Sequence, residues 1–288
     1  RGKFAGFEAP QISLSRGALH FGLLEAVEAR IGADHVIRDR RLTSFAQSAD
    51  RVDLQFSDSS GGSHAASADL MIAADGMHSA ARAQLYPGEG KPIYSGRTLW
   101  RATSLAKPFL IGATMIMAGH QDQKFVCYPI EPVRPDGLQR INWIAELRIN
   151  EFRRREDWNR EGDPADFYPR FVSWAFDWLD IPGLITSADV VYEYPMVDRD
   201  PLARWSHGRM TLLGDAAHPM YPIGSNGASQ AILDIDALVR ALRANADPVA
   251  ALAAYEAERL PATAAIVRAN RQNGPEHCMQ LAEDRAPN

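Results

Sequence analysis

The chain has 288 residues, of which 46% are hydrophobic and 23% charged, a balance typical of a folded globular protein with about two domains. Its net charge of −5, with no basic block and no apolar run of transmembrane length, argues against nucleic acid or a membrane as a partner. The two cysteines, Cys127 and Cys278, form neither a metal-binding spacing nor a disulfide framework, which fits a reducing cytoplasm.

The N-terminal part of the chain predicts a strand, a helix and a hairpin. Alternating polarity at 11–14 predicts the strand. Ser15 is a favourable helix cap, and apolar residues at helical spacing follow it as far as Gly32, which predicts a helix over that interval. Polarity alternates again at 42–46 and 52–57, and these two runs predict a hairpin.

An apolar strand is predicted at 70–74, and it leads into the acidic turn Asp75-Gly76. The run continues as D-G-x-x-S-x-x-R and ends at Arg82. Asp75 and Arg82 are spaced to form an ion pair across the turn, which would hold the loop in shape. Contact between Asp75 and a ligand stays open beside that structural role.

The stretch from Lys91 to Pro201 changes character and predicts an antiparallel sheet. Aromatic residues at 167–178 recur at helical spacing and predict a helix that packs into the core. The charged run 151–160 predicts a solvated helix or loop. The predicted strands, separated by turns that contain Pro and Gly, are 98–104, 114–117, 124–130, 140–149 and 190–196.

The stretch 210–242 carries the most informative pattern. A short apolar strand ends in Gly214-Asp215, Pro222 interrupts helix formation, and the Gly-rich loop 224–227 precedes a long amphipathic helix. Glycines at a helix N-terminus let a ligand approach free backbone N–H groups and the positive end of the helix dipole. Asp215 can accept hydrogen bonds from ligand hydroxyls. The pattern favours a ligand with a polyol part and an electron-rich oxygen or phosphate, and the alternative is a Gly-rich turn that only caps a core helix.

The C-terminal part of the chain predicts helices. Asp247 caps a helix that has Pro248 at its first position, and Pro261 is expected to end it. Helix-forming residues resume at 262–269, and Gly274-Pro275 is expected to end that second segment.

The run GDAAHPMYPIGSNGASQAILD at 214–234 resembles the second flavin-binding signature of the FAD-dependent aromatic hydroxylases with the para-hydroxybenzoate hydroxylase fold. Within this family, the sequence of the loop most resembles that of the phenazine hydroxylase branch. The D-G-x-x-S-x-x-R run resembles the other signature of the family, and the R-x-x-L pattern at Arg16 also matches, with a plain surface arginine as the alternative. The resemblance implies that Asp215 holds the ribityl chain of FAD and that the loop 222–227 lies along the isoalloxazine. The FAD-binding residues it implies are Arg16, Asp75, Asp215, Pro222, Gly224, Ser225, Asn226 and Gly227.

The resemblance implies an α/β fold with a discontinuous FAD-binding domain, residues 1–90 and 205–288. A mostly antiparallel, substrate-binding sheet domain, residues 91–204, is inserted between the two parts. NADH or NADPH would reduce FAD, O₂ would add at flavin C4a, and the hydroperoxide would hydroxylate a small aromatic, phenazine-like substrate. Because the flavin carries this chemistry, no side chain is assigned as an obligatory acid or base. The candidates for lining the substrate pocket are Trp100, Tyr128 and Tyr194, any of which could instead belong to the core.

The dinucleotide-binding pattern G-x-G-x-x-G, which the family carries near its N-terminus, is absent from this sequence. The chain opens at Arg1 without Met and the other signatures are intact, so we expect the N-terminal βαβ unit to lie outside this sequence. The histidines show no spacing typical of a metal site, and His218 is expected to be structural rather than catalytic.

Two other functions remain open beside the hydroxylase. One is a flavoprotein of the same fold that oxidises its substrate without inserting oxygen, and the other is a non-catalytic binding module that has lost FAD. A plain α/β nucleotide binder is disfavoured by the length of the flavin-like stretch. The sequence does not specify the aromatic substrate, the choice between NADH and NADPH, or the oligomeric state.

Overall fold

The computed structural model of the protein describes residues 6–8, 10–149, 160–272 and 277–285. Its internal contacts divide the chain into two compact units. The sheet unit comprises Arg1–Val36 and Gly96–Pro195, and the helix-rich unit comprises Ile37–Ser95 and Met196–Asn288. The charged run at 151–159 and the predicted helix end at Gly274-Pro275 lie outside the described residues.

The regular elements of the described residues are helices, strands and short 3-10 turns. The helices are α1 (Arg16–Ile31), α2 (Ala80–Leu85), α3 (Ile181–Thr186), α4 (Gly227–Ala244), α5 (Pro248–Arg271) and α6 (His277–Arg285). The strands are β1 (Arg41–Gln47), β2 (Val52–Ser57), β3 (Ser63–Ala68), β4 (Met71–Ala73), β5 (Ile93–Ala106), β6 (Ile116–His120), β7 (Gln123–Pro129), β8 (Gln139–Arg148), β9 (Ala175–Phe176), β10 (Leu179–Asp180), β11 (Tyr192–Asp198) and β12 (Met210–Leu212). The 3-10 turns lie at Ala33–His35, Pro164–Asp166, Tyr168–Arg170, Gly214–Ala216 and Ile223–Ser225.

A five-stranded sheet with the order β11-β5-β8-β7-β6 forms the centre of the sheet unit. The pairs β5–β8, β8–β7 and β7–β6 are antiparallel, as predicted. Successive side chains of a strand point to opposite faces of the sheet. One face therefore presents the buried side chains of Trp100, Phe125 and Trp143 to the core, and the other face carries Arg101 and Tyr128.

The aromatic run at 167–178 does not form the predicted helix. It forms a 3-10 turn followed by the hairpin of β9 and β10. Phe167 and Phe171 are fully buried in the core of the sheet unit, whereas Phe176 and Trp178 are exposed and stack with their ring centroids 5.4 Å apart. The helical spacing is misleading here because Pro169 disfavours a helical conformation at Tyr168, the residue before it.

The helix-rich unit combines two small sheets with helices. The order β1-β2-β3 is antiparallel, and the predicted hairpin of β1 and β2 is confirmed. β3 was not predicted, because its small and polar residues give no apolar alternation. β4 and β12 pair in parallel. The core of this unit is formed by apolar residues from these strands and from α4 and α5, among them Met210, Leu212, Leu238, Leu252 and Tyr255.

α4 and α5 lie where helices were predicted, but two details differ. α4 buries Asp234 and Leu238, whereas Ile232 and Ile235 of its predicted apolar stripe are exposed. Pro261 does not end α5, which continues through it to Arg271. A proline removes one helical hydrogen bond, but buried residues of α5 on both sides of it, among them Tyr255, Thr263 and Val267, anchor the two halves of the helix.

The N-terminal segment departs from the prediction at 11–14, which is irregular rather than a strand, because no strand among the described residues pairs with it. The predicted helix after Ser15 is confirmed as α1, but its apolar stripe is not buried. The internal contacts of residues 1–36 group them with the sheet unit, and their membership of the FAD-binding domain stays a prediction. Among the described residues, the hydrophobic core of the helix-rich unit begins at Leu42, so no side chain of α1 belongs to that core. None of the described helices is long and apolar enough to cross a membrane.

Candidate functional site

The two acidic turns predicted from the sequence follow two adjacent parallel strands. Asp75-Gly76 comes after β4, and Gly214-Asp215 comes directly after β12. The backbone N–H of Leu213 donates to the carbonyl of Ala73 at 2.9 Å, which keeps the two strand ends aligned. Because the carboxyl ends of parallel strands meet at one edge, both turns lie where open parallel sheets bind their ligands.

Asp215 is the single exposed residue of the stretch 210–221, in which every other residue is buried. Its carboxylate makes no hydrogen bond or ion pair with any described side chain or backbone group. A carboxylate oxygen can accept more than one hydrogen bond. The exposed carboxylate of Asp215 can therefore accept hydrogen bonds from the hydroxyl groups of a ligand.

The Gly-rich loop brings the N-terminus of α4 close to Asp215. Gly224 has a φ of +70°, a left-handed conformation that favours glycine. No side-chain hydrogen bond from the described residues caps α4, so its first N–H groups and the positive end of its dipole are available to a ligand. A Cβ built on Gly227 would lie 3.9 Å from Asp215 Oδ1, so the helix N-terminus and the carboxylate border the same space. The loop also contains Pro222, Ser225 and Asn226, and the side chain of Ser225 is not among those that the structure describes.

The predicted ion pair between Asp75 and Arg82 is wrong. Asp75 Oδ2 instead accepts hydrogen bonds from the N–H groups of Ala80 at 2.8 Å and Ala81 at 3.4 Å, which satisfies donors in the first turn of α2. The guanidinium of Arg82 pairs with Glu89, with a distance of 2.9 Å from Nε to Oε2. Asp75 therefore shapes its own turn by capping a helix.

Arg82 connects the two signatures through the interior of the helix-rich unit. Its side chain is 2% exposed, and Nη1 donates to the carbonyls of Ala216 at 3.0 Å and Ala217 at 2.9 Å. These carbonyls belong to the turn that carries Asp215. The arginine of the first signature thus holds the acidic turn of the second, a role that its spacing in the sequence does not reveal.

A buried charged network, which the sequence patterns did not predict, supports the same turn. Asp234 Oδ2 accepts a hydrogen bond from the Gly214 N–H at 3.2 Å and lies 2.5 Å from His218 Nε2. Asp234 Oδ1 accepts a hydrogen bond from Arg259 Nε at 2.8 Å. His218 is buried in this network, in the structural role expected for it. The available signal was an acidic residue inside the apolar pattern of α4.

The pKa of Asp234 reflects a competition between burial and its partners. Burial acts to raise the pKa of this carboxyl, but the hydrogen bonds and charges of His218 and Arg259 outweigh that effect and lower it below the ordinary value. Asp234 therefore stays ionised at neutral pH and can hold the Gly214 N–H and both side chains at once.

The predicted pocket residues belong to the sheet unit, and they do not all lie together. Trp100 is 1% exposed and stacks on Phe167 with the ring centroids 5.0 Å apart, so it is part of the core. Tyr128 lies on the opposite face of the sheet, because the alternation of side chains separates the two. Trp100 therefore cannot line the same surface as Tyr128.

Tyr128 and Tyr194 meet around Arg101, a residue that no sequence motif singled out. Arg101 Cζ lies 5.9 Å from the ring centroid of Tyr194, and the Arg101 side chain is hydrogen-bonded to Tyr128. Arg16, at the first position of α1, is close enough for its charge to act on Arg101. The signal for Arg101 was its place next to Trp100, since neighbours in a strand face opposite sides.

The residues around Asp215 suit FAD. The carboxylate is an acceptor for a polyol chain, and the free N–H groups of α4 suit an electron-rich ring edge. The missing side chain at Gly227 leaves room for a flat ring beside the helix N-terminus. No group of His, Cys, Asp and Glu among the described residues could hold a metal ion.

Comparisons with known proteins agree with this chemistry. The family described as FAD binding domain matches residues 22–270. The chain is 42% identical over 277 residues to phenazine 1,6-dicarboxylic acid hydroxylase PhzS of Lysobacter antibioticus, covering 94% of this chain and 68% of that protein. It is 33% identical over 275 residues to 3-amino-4-hydroxybenzoate 2-monooxygenase PtmB3 of Streptomyces platensis, covering 94% of this chain and 64% of that protein. A crystal structure of a Klebsiella pneumoniae HpxO variant complexed with FAD matches with a TM-score of 0.74 and 27% identity, covering 94% of this chain and 67% of that one.

The chain spans about two thirds of the length of these relatives. The match to the family covers most of the chain, and the fold agrees with that of an FAD-binding relative. The α/β fold class and the FAD-dependent hydroxylase family predicted from the sequence are both confirmed. The chain belongs to the FAD-dependent aromatic hydroxylases that share the FAD binding domain.

Proposed function

We propose that this protein is a monooxygenase that uses FAD, NADH or NADPH, and O₂ to hydroxylate a small aromatic substrate. One arrangement carries the proposal: the exposed, unpartnered carboxylate of Asp215 lies beside the uncapped N-terminus of α4 at the carboxyl ends of two parallel strands. The named activities of PhzS and PtmB3 add support, since both relatives oxygenate aromatic acids.

We assign the flavin-binding role to the helix-rich unit. Asp215 would accept hydrogen bonds from the ribityl hydroxyls of FAD, and the loop that ends at Gly227 would border its ring system. The N–H groups and dipole of α4 would stabilise negative charge on that ring. Asp75 keeps the neighbouring turn in place by capping α2.

We assign the substrate-binding role to the half-buried face of the sheet that carries Arg101, where Tyr128 and Tyr194 supply aromatic surface. FAD, once reduced by NADH or NADPH, supplies the activation of O₂ and the transfer of one oxygen atom. The protein supplies position, charge stabilisation and exclusion of water, and no side chain acts as an obligatory acid or base. The similarity to PhzS favours a phenazine-like aromatic acid as the substrate.

Incorporation of ¹⁸O tests this function. The protein, expressed from its full reading frame and loaded with FAD, is incubated with ¹⁸O₂, NADH or NADPH, and phenazine-1,6-dicarboxylate or 3-amino-4-hydroxybenzoate. The expected product carries one ¹⁸O atom for each reduced nicotinamide consumed. An oxidised product without label would instead identify a flavoprotein that does not insert oxygen. A protein that takes up no FAD would identify a binding module without the cofactor.

A further inference from the structure

Arg101 differs from several other buried or half-buried arginines of the protein. The guanidinium of each of several others pairs with a carboxylate: Arg82 with Glu89, Arg97 with Glu146, Arg259 with Asp234, and Arg271 with Asp198. Arg101 has no carboxylate partner among residues 6–8, 10–149, 160–272 and 277–285. A cation withdrawn from water without an anion is costly, so this position is suited to an anionic ligand.

The electrostatic surroundings of Arg101 point the same way. Burial lowers the pKa of Arg101, and the positive charge of Arg16 lowers it further. The hydroxyl groups of Tyr128 and Tyr194 raise the pKa of Arg101, but they offset these two effects only in part. Two guanidinium groups near each other repel, and an anion bound between them would relieve that repulsion.

A third donor lies beside Tyr128. Asn142 is directly opposite Tyr128 in the register of β7 and β8, and its amide nitrogen is buried without a partner in the described structure. Asn142 is also opposite Thr103 of β5, two residues from Arg101 and on the same face. Guanidinium, amide and phenol donors converge on one surface, and such a set of donors suits the two oxygens of a carboxylate.

The same surface offers aromatic contact. The ring of Tyr194 lies under the Arg101 guanidinium, and Tyr192 stacks on Tyr194 with the centroids 6.4 Å apart. Offset stacking of aromatic rings adds to the burial of apolar area. A ligand that combines an aromatic ring with a carboxylate would therefore satisfy both parts of the surface.

We propose that Arg101, together with Asn142 and Tyr128, binds the carboxylate of an aromatic acid substrate while Tyr194 contacts its ring. This inference rests on the proposed function, because it names the substrate class of the hydroxylation site. Arg101 is a specificity-determining residue on this account, and it takes no part in the oxygen chemistry.

Binding of phenazine-1,6-dicarboxylate and of its uncharged diamide to the FAD-loaded protein tests the inference without any turnover. Arg101→Gln is expected to weaken binding of the dicarboxylate by about 10- to 100-fold, as loss of charge-assisted hydrogen bonds does. Binding of the diamide and of FAD should change little. Asn142→Leu should weaken binding of the dicarboxylate to a smaller extent.

Arg140→Gln is the matched control. Arg140 lies on β8 on the same face, but its side chain is 34% exposed and pairs with Glu131 at 3.1 Å, so its loss should leave binding unchanged. If Arg101→Gln weakens binding of the dicarboxylate and of the diamide equally, the inference is overturned. It is also overturned if the variant weakens binding of FAD alone, which would assign Arg101 to a flavin phosphate. Failure of the wild-type protein to bind phenazine-1,6-dicarboxylate would overturn it as well. Binding without hydroxylation would leave the inference standing and contradict the proposed function instead.

Discussion

Replacement of Asp234 by Asn is expected to lower the free energy of unfolding by about 3–5 kcal/mol, the range for breaking a buried ion pair. Asp234 is fully buried, and its partners Arg259 and His218 are only 8% and 3% exposed. Neither partner can recover its hydration when the carboxylate charge is lost. The N–H of Gly214, 3.2 Å from Asp234 Oδ2, loses a charged acceptor in the same change.

Asp236 provides a matched control on the same helix. It pairs with Arg240 at 3.0 Å, but the two side chains are 65% and 55% exposed. Water and salt screen such a pair, which contributes about 0.3–0.5 kcal/mol on a helix surface. The same substitution, Asp to Asn, two residues apart in α4 should therefore differ in cost by about 2.5 kcal/mol or more.

The effect of Asp234→Asn should depend on pH with a definite sign. The pKa of Asp234 is lowered in the folded protein, by His218 and Arg259 against the opposing effect of burial. Its contribution to stability is therefore complete above the pKa of an unfolded aspartate, about 4, and is lost as the pH falls through the lower folded-state pKa. The difference in stability between the wild type and the variant should therefore narrow as the pH falls below about 4.

Urea denaturation of the wild type, Asp234→Asn and Asp236→Asn at neutral and acidic pH measures this difference. Asp234→Asn should unfold at a clearly lower urea midpoint with an unchanged slope. Equal midpoints for the two variants at neutral pH would refute the view that the buried network stabilises the turn that carries Asp215.

Two further predictions concern single positions. Gly227→Ala should keep the melting temperature of the protein but weaken FAD binding, because the nearest described atom to the new Cβ is Asp215 Oδ1 at 3.9 Å and the ligand would lose the space beside it. Thermal unfolding and FAD titration of this variant decide the point, and an unchanged affinity would argue against the placement of the ring. Burial raises the pKa of Cys127 to about 12, so iodoacetamide at about pH 8, near the pKa of an ordinary thiol, should leave it unmodified in the native protein and should alkylate it after denaturation. Mass spectrometry reports the modified fraction, and rapid alkylation of native protein would contradict the buried placement of the thiol.

The features that the sequence predicted well are those that the local chain determines. An apolar strand followed by an acidic turn needs only a few consecutive residues, and both such units occur where they were expected, before Asp75 and Asp215. The start of α4 after a Gly-rich loop is equally local. Their proximity follows from the parallel pairing of β4 and β12.

The features that the sequence did not reveal depend on tertiary partners. Arg82 was paired with Asp75 because they are close in sequence, but its carbonyl partner Ala216 lies 134 residues away. Asp234 takes Arg259, 25 residues away, as its partner. A local sequence pattern leaves many possible partners for such a charged side chain, and only the folded structure determines which of them it contacts. The aromatic run at 167–178 fails for a related reason, since burial of its first rings does not require a helix.

The measurement that most directly tests the central claim is the affinity for FAD of the wild-type protein and of Asp215→Ala. Loss of a charged acceptor for the ribityl hydroxyls is expected to remove about 1.5–3 kcal/mol, a decrease in affinity of roughly 10- to 100-fold. Asp236→Ala, an exposed carboxylate replaced on the same α4, should leave the affinity unchanged. If Asp215→Ala binds FAD as tightly as the wild type, the flavin does not lie at this turn.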